Sequence, residues 1–168
     1  MIVLGLDPGT RHFGWGVVER SGTRLVHVAH GVVHSDEKLP IAQRLVGIER
    51  ELVAVVERHA PTIASVEAIF YAKDASAAAK LGHARGVALL VCARAGLGVH
   101  EYQPTLVKRA VTGSGRAEKG QVARMIRVLL GLAALPPADA ADALALAVCY
   151  LQQAPLARAI LRASRSGV

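Results

Sequence analysis

Apolar residues enter this chain in two rhythms. Near the start they form short, nearly continuous runs. Ile2–Asp7 is one, closed by the turn sequence Asp7-Pro8-Gly9-Thr10, and it predicts a buried strand. Phe13–Glu19 and Arg24–His34 predict two further strands, with Ser21-Gly22 as a hairpin turn. From Ile41 the rhythm changes. Ile41, Leu45, Ile48, Leu52 and Val55 recur at helical spacing, so Ile41–Arg58 predicts a helix opened after Pro40. A strand over Ile63–Glu67, a long helix over Ala75–Ala95 and a strand over Leu97–Tyr102 follow. Pro104 opens a short helix up to Thr112, Gly113–Gly115 makes a loop, and Glu118–Leu130 forms another helix. Pro136-Pro137 breaks the chain before a last helix, Asp139–Gln153.

Three strands in a row, then alternating helices and strands, predict an α/β fold: one mixed sheet flanked by helices. At 168 residues the chain is one domain's worth, expected over 1–154. Residues 155–168 carry Arg158, Arg162 and Arg165 and are expected to form a basic, partly disordered tail. No apolar run approaches the ~20 residues of a membrane helix, and MIVLGLD reaches an acid too soon for a signal peptide. Cys92 and Cys149 form no CxxC pair and lie in apolar helical stretches, which predicts inert core thiols and a cytosolic protein.

Charge sharpens the picture. The formal net charge is +7, but residues 1–67 hold seven basic and eight acidic side chains, and residues 68–168 hold thirteen and five. A basic half on one domain fits either an arginine-rich solvated surface or a polyanionic partner such as nucleic acid. The densest basic stretch is Lys108, Arg109, Arg116, Lys119, Arg124 and Arg127.

The acids then become the informative residues. Asp7 and Glu67 each close an apolar strand, where a carboxylate sits beside the core. Asp139 and Asp142 are spaced i, i+3 at the start of the last helix and share a face. Singly, each has an ordinary role: a turn former, a surface acid, an N-cap, a charge favoured by the helix dipole. Together they could converge on divalent cations. Hard Mg²⁺ takes carboxylate and water oxygens and leaves positions for phosphate. A two-metal site suits phosphodiester hydrolysis.

Six blocks in this order carry a resemblance: Gly5-Leu6-Asp7-Pro8-Gly9-Thr10, Glu67–Lys73, Lys80–Gly86, Val107-Lys108, Ala117-Glu118-Lys119 and Asp139–Ala145. Over roughly residues 1–152 the chain resembles the RuvC family of crossover junction endodeoxyribonucleases, the bacterial Holliday junction resolvases. The resemblance implies a ribonuclease H-like fold and a homodimer. It implies Mg²⁺-dependent nicking of opposed strands of four-way junction DNA, leaving 5′-phosphate ends, with two ions per site and Mn²⁺ as a substitute. By motif position the catalytic, metal-binding acids fall on Asp7, Glu67, Asp139 and Asp142, with Asp139 a ligand or an aid to proton transfer. The DNA-contacting aromatic falls on Phe70, and DNA-contacting lysines on Lys108 and Lys119. Arg116 joins them from the charge pattern. Partnership with the branch-migration proteins RuvA and RuvB is implied as well. The rivals are another ribonuclease H-like nuclease acting on structured RNA and a non-catalytic junction-binding protein.

Two further features invite explanation. Ala78, Gly82 and Gly86 recur every four residues on the long helix, although a helix-interior Gly costs about 1 kcal/mol against Ala. Close packing offsets such a cost, either inside the monomer or against a symmetry mate. His27, His30 and His34 fall in a strand with mixed spacing, so they are not expected all to share one face.

Overall fold

A computed structural model describes residues 1–68 and 75–165, with side-chain surroundings for 1–68, 78–118 and 120–154. The strands are β1 (Ile2–Asp7), β2 (His12–Ser21), β3 (Arg24–His34), β4 (Ile63–Glu67) and β5 (Gly98–Tyr102). The helices are α1 (Ile41–His59), α2 (Ala75–Arg94), α3 (Pro104–Thr112), α4 (Lys119–Leu129) and α5 (Ala138–Arg165). One sheet takes the order β3-β2-β1-β4-β5. β1, β2 and β3 pair antiparallel, and β4 and β5 extend the sheet in parallel. This is the mixed sheet the pattern predicted.

Strand alternation sorts the side chains into two cores. Leu4, Leu6, Phe13, Val17, Ala64 and Val66 face α1 and α2, meeting Ile48, Leu52, Ala84, Ala88 and Val91. Val3 and Val18 face α3, α4 and α5, where Val107, Val111, Val122, Ile126 and Leu144 complete the second core. Apart from half-buried Asp142, helix α5 is buried on all sides from Ala140 to Leu151, as a helix apolar nearly all round must be. Its alanines let it lie close to the sheet, and the sheet meets it with glycines. A Cβ on Gly5 would overlap the carbonyl oxygen of Ala143, and one on Gly16 would crowd the side chain of Leu144. Gly5 and Gly16 are register partners. The buried Ser65 hydroxyl donates to the carbonyl oxygen of Leu146 at 2.7 Å, fastening β4 to the same helix.

Two expectations need revision. Helix α5 runs to Arg165 and not to Gln153. Pro155 has no N–H for the i−4 carbonyl and reads as a stop, but the Ala, Leu and Arg around it are strong helix formers and the helix continues. Ile41 begins the apolar face of α1 in sequence but is exposed at the first residue of the helix. His27 and His30 meet: His27 Nε2 and His30 Nδ1 share a hydrogen bond at 2.8 Å. A bulge pairs Val17 with Ala29 and Val18 with His27, so Val28 is skipped. One extra residue puts positions three apart on one face.

The two cysteines are buried. Burial pushes the Cys92 thiol up to about 11 and the Cys149 thiol up to about 12, so both stay protonated. Among the described residues no helix is long and apolar enough to cross a membrane.

Candidate active site

The site begins at the strand ends. In β1, Val3, Gly5 and Asp7 alternate toward α5, and in β4 Ile63, Ser65 and Glu67 do the same. The parallel register Leu6–Val66 brings Asp7 and Glu67 to the ends of neighbouring strands. The Ala68 N–H donates to the Tyr102 carbonyl at 2.9 Å and ties the end of β4 to β5. Across the antiparallel ladder Asp7 is paired with Gly14, whose missing Cβ leaves room for the Asp139 backbone. Helix α5 therefore starts directly over the end of β1, and Asp142 projects one turn further along.

These placements open a cavity of about 220 Å³ lined by Asp7, Glu67, Asp142 and Lys108, with Pro104, Val107, Val122 and Leu146 as apolar wall. Lys108 is half-buried on α3. Asp139 is absent from this lining. It shares with Asp7 a second, shallower groove of about 390 Å³ formed by residues 7–12, Lys80 and Leu81. Among the described residues, Asp7 is the one common to both linings. The phenol of Tyr102, the register partner of Glu67 on β5, is pushed up to about 12 by burial and by Cys149 and Tyr150, so it serves as no base near neutral pH.

The family model for Crossover junction endodeoxyribonuclease RuvC matches residues 3–150. The chain belongs to the RuvC family. Crossover junction endodeoxyribonuclease RuvC of Sorangium cellulosum is 56% identical over 160 residues, spanning 95% of this chain and 89% of that protein. The RuvC of Parvibaculum lavamentivorans is 51% identical over 164 residues, spanning 95% and 94%. Among solved structures, Thermus thermophilus RuvC in complex with Holliday junction substrate is similar with a TM-score of 0.88 at 36% identity, over 94% of this chain and 96% of that one. The yeast mitochondrial Holliday junction resolvase shares the fold, with a TM-score of 0.62 at 12% identity over 89% and 78%. The ribonuclease H-like architecture implied by the motifs is thus the architecture observed.

The RuvC-like motifs are brought together unequally. Asp7, Glu67, Asp142 and Lys108 reach one cavity, although they are spread over most of the sequence. Arg116 is exposed on the α3–α4 loop, its N–H donating to Ser114 Oγ at 3.3 Å, and it is absent from the cavity lining. Phe70 and the side chain of Lys119 lie outside the described residues.

Among the described residues, no three His, Cys, Asp or Glu side chains already stand together as a ligand cluster. The donor chemistry nevertheless fits a hard divalent cation. Three carboxylates face one cavity, the lining holds no sulfur or imidazole donor, and the space admits several species of water's size, each about 30 Å³.

Sequence reasoning missed three contributors. Lys80 carried no role beyond its place in a motif. Arg44, on α1, donates through Nε to the Thr10 carbonyl at 3.0 Å, and through a second nitrogen as well, bracing the turn after Asp7. Gly14 had no signal except its own lack of a side chain.

Proposed function

We propose that this chain is a structure-selective endonuclease that resolves four-way DNA junctions by paired, metal-dependent nicks in opposed strands. The observation that carries this reading is the cavity where Asp7, Glu67 and Asp142 meet Lys108, in a member of the RuvC family. The reading is supported by the similarity to a RuvC in complex with Holliday junction substrate. A junction-binding protein without catalysis would have no use for three acids facing a phosphate, since they repel it unless cations intervene.

Asp7, Glu67 and Asp142 would hold two Mg²⁺ ions, with Mn²⁺ as a substitute, and Asp139 on the far side of Asp7 would add a ligand or assist proton transfer. Bound there, the ions supply Lewis-acid activation of water and neutralise charge growing on the phosphate. The chain's own residues do the rest. Lys108 pairs with a phosphate oxygen and fixes the scissile group against the carboxylates. The wall of Val107, Val122 and Leu146 limits water on that side. Attack in line breaks the bond to the 3′ oxygen and leaves a 3′-hydroxyl and a 5′-phosphate. Lys119 and Arg116 extend the phosphate contacts, and Phe70 stacks on a base where strands separate.

Two nicks call for two sites, and α2 supports a homodimer. Among the described residues, a Cβ on Gly82 or Gly86 would meet nothing within 4 Å, so the packing described inside the monomer accounts for neither glycine. Leu90, four residues further on the same face, is 47% exposed. A symmetry mate of α2 laid on this face would use all three. The family resemblance adds RuvA and RuvB as partners and the bacterial cytoplasm as the location.

The test is a cleavage assay on a synthetic mobile four-way junction, run beside structured RNA, with and without Mg²⁺. Mg²⁺-dependent paired nicks in the junction are expected. Cleavage of RNA alone, or tight junction binding without cleavage, would overturn the reading.

A further inference from the structure

Of the groove on the other side of Asp7, only its two acids, Asp7 and Asp139, have a part in the chemistry described so far. The groove is lined by the turn Pro8–Arg11, His12, Lys80, Leu81 and Asp139, and among the described residues it shares Asp7 with the carboxylate cavity. A DNA strand whose scissile phosphate lies at Asp7 has neighbouring phosphates on both sides. Lys108 serves one side. On the other, a phosphate entering the groove meets two carboxylates, Asp7 and Asp139, which the ions proposed above would offset, and a further cation is what would hold the phosphate itself. Arg11 is already committed, since its guanidinium pairs with Glu37 at the exposed rim. Lys80 is exposed, lines the groove and makes no ion pair among the described residues.

The opposite wall is built to stay in place. A Cβ on Gly9 would overlap the carbonyl oxygen of His12, so the turn closes as tightly as a glycine allows. Thr10 is buried, and its carbonyl accepts from the Arg44 guanidinium. A firm turn and a lysine thus line the same shallow groove.

We propose that Lys80 is a positioning residue: it holds the phosphate next to the scissile one, on the side of Asp7 away from Lys108. The two lysines then fix the strand at two points with the reacting phosphate between them. Two-point fixation sets the in-line angle, which a single contact leaves free to pivot. The proposal rests on the nuclease reading, and the experiment separates the two.

Lys80→Ala and Lys80→Arg are compared with the parent in single-turnover cleavage of a four-way junction. The junctions carry one neutral methylphosphonate, moved in turn through the phosphates flanking the scissile bond. Binding is measured across a salt series with each Lys80 substitution combined with Glu67→Gln. Lys80→Ala is expected to slow cleavage and to lower the log–log salt slope of binding by about 0.9, one phosphate contact. Lys80→Arg should restore both. At one methylphosphonate position, and only there, parent and Lys80→Ala should cleave at the same rate, because the phosphate charge that Lys80 reads is already gone. A penalty equal at every position, or Lys80→Ala with parental rate and slope, would overturn the proposal while leaving the nuclease reading standing. A parent that cleaves no junction overturns that reading and the proposal with it.

Discussion

Gly14 lies against the first turn of α5, and the Cβ it lacks would overlap the carbonyl oxygen of Asp139. Gly14 is also the ladder partner of Asp7. One absent methyl therefore determines how closely the acids of α5 approach the acid of β1. Gly14→Ala must push the helix start away from the strand, an overpacking change of the kind that costs about 1–3 kcal/mol. Cleavage should fall far more than folding, because a displacement near 1 Å is costly to catalysis. Gly16→Ala is the matched control. It crowds Leu144, one turn further into the core, so it should cost similar stability and less activity. Denaturant unfolding beside cleavage rates tests this, and a Gly14→Ala protein as active as Gly16→Ala would refute it.

Asp7→Asn keeps the size of the side chain and removes a negative charge from the shared lining of both grooves. Cleavage should be abolished and junction binding kept, because Lys80, Lys108 and the exposed arginines are untouched. Glu67→Gln should behave alike. Gel-shift binding and Mg²⁺-dependent nicking are the measurements. Substantial nicking by pure Asp7→Asn protein would remove Asp7 from the site.

Phe70 separates stacking from packing. A core phenylalanine changed to Ala loses roughly 3–5 kcal/mol of folding stability. A ring stacked on a base loses about 1–3 kcal/mol of interaction with DNA and little folding stability. The second pattern is expected for Phe70→Ala. Tyr and Trp replacements should then keep more cleavage than Leu, because a flat π-face is needed and not apolar volume. Equal activity of the Leu and Tyr variants, with a strongly destabilised Ala variant, would mark Phe70 as a packing residue.

The His27–His30 pair gives the fold an acid-side weakness. Partial burial lowers the pKa of both rings from the ordinary 6.5, and for His27 the neighbouring His30 charge lowers it further. In the window from 6.5 down to the lowered values the unfolded chain binds protons that the folded chain refuses. Stability should therefore fall as pH drops below 6.5 and level off above it. Thermal unfolding between about pH 8 and about pH 5 measures the slope. His27→Gln with His30→Gln should flatten it, and an unchanged slope would show that the pair titrates normally in the fold.

Much of this protein was legible from the chain alone. The apolar runs that end in Asp7 and Glu67, and the helical spacing from Leu45 to Val55, specify strands and a helix because burial selects a period of two or of 3.6. The order β, β, β, α, β, α, β implies a mixed sheet. The four acids could be grouped by chemistry before any geometry, since carboxylates at the ends of buried elements demand a reason. Periodicity, however, is blind to distance along the third dimension. That Asp142 lines a cavity with Asp7 while Asp139 lines the neighbouring groove depends on how α5 is rolled on the sheet, and Gly5, Gly14 and Gly16 decide that by what they lack. The meeting of His27 with His30 depends on a bulge that pairing with β2 creates. The open face at Gly82 and Gly86 is visible only once every helix of the monomer has its place. Local sequence sets which groups each segment must bury or expose. Which groups then meet is set by steric contact between segments far apart in the chain, and that contact exists only in the folded structure.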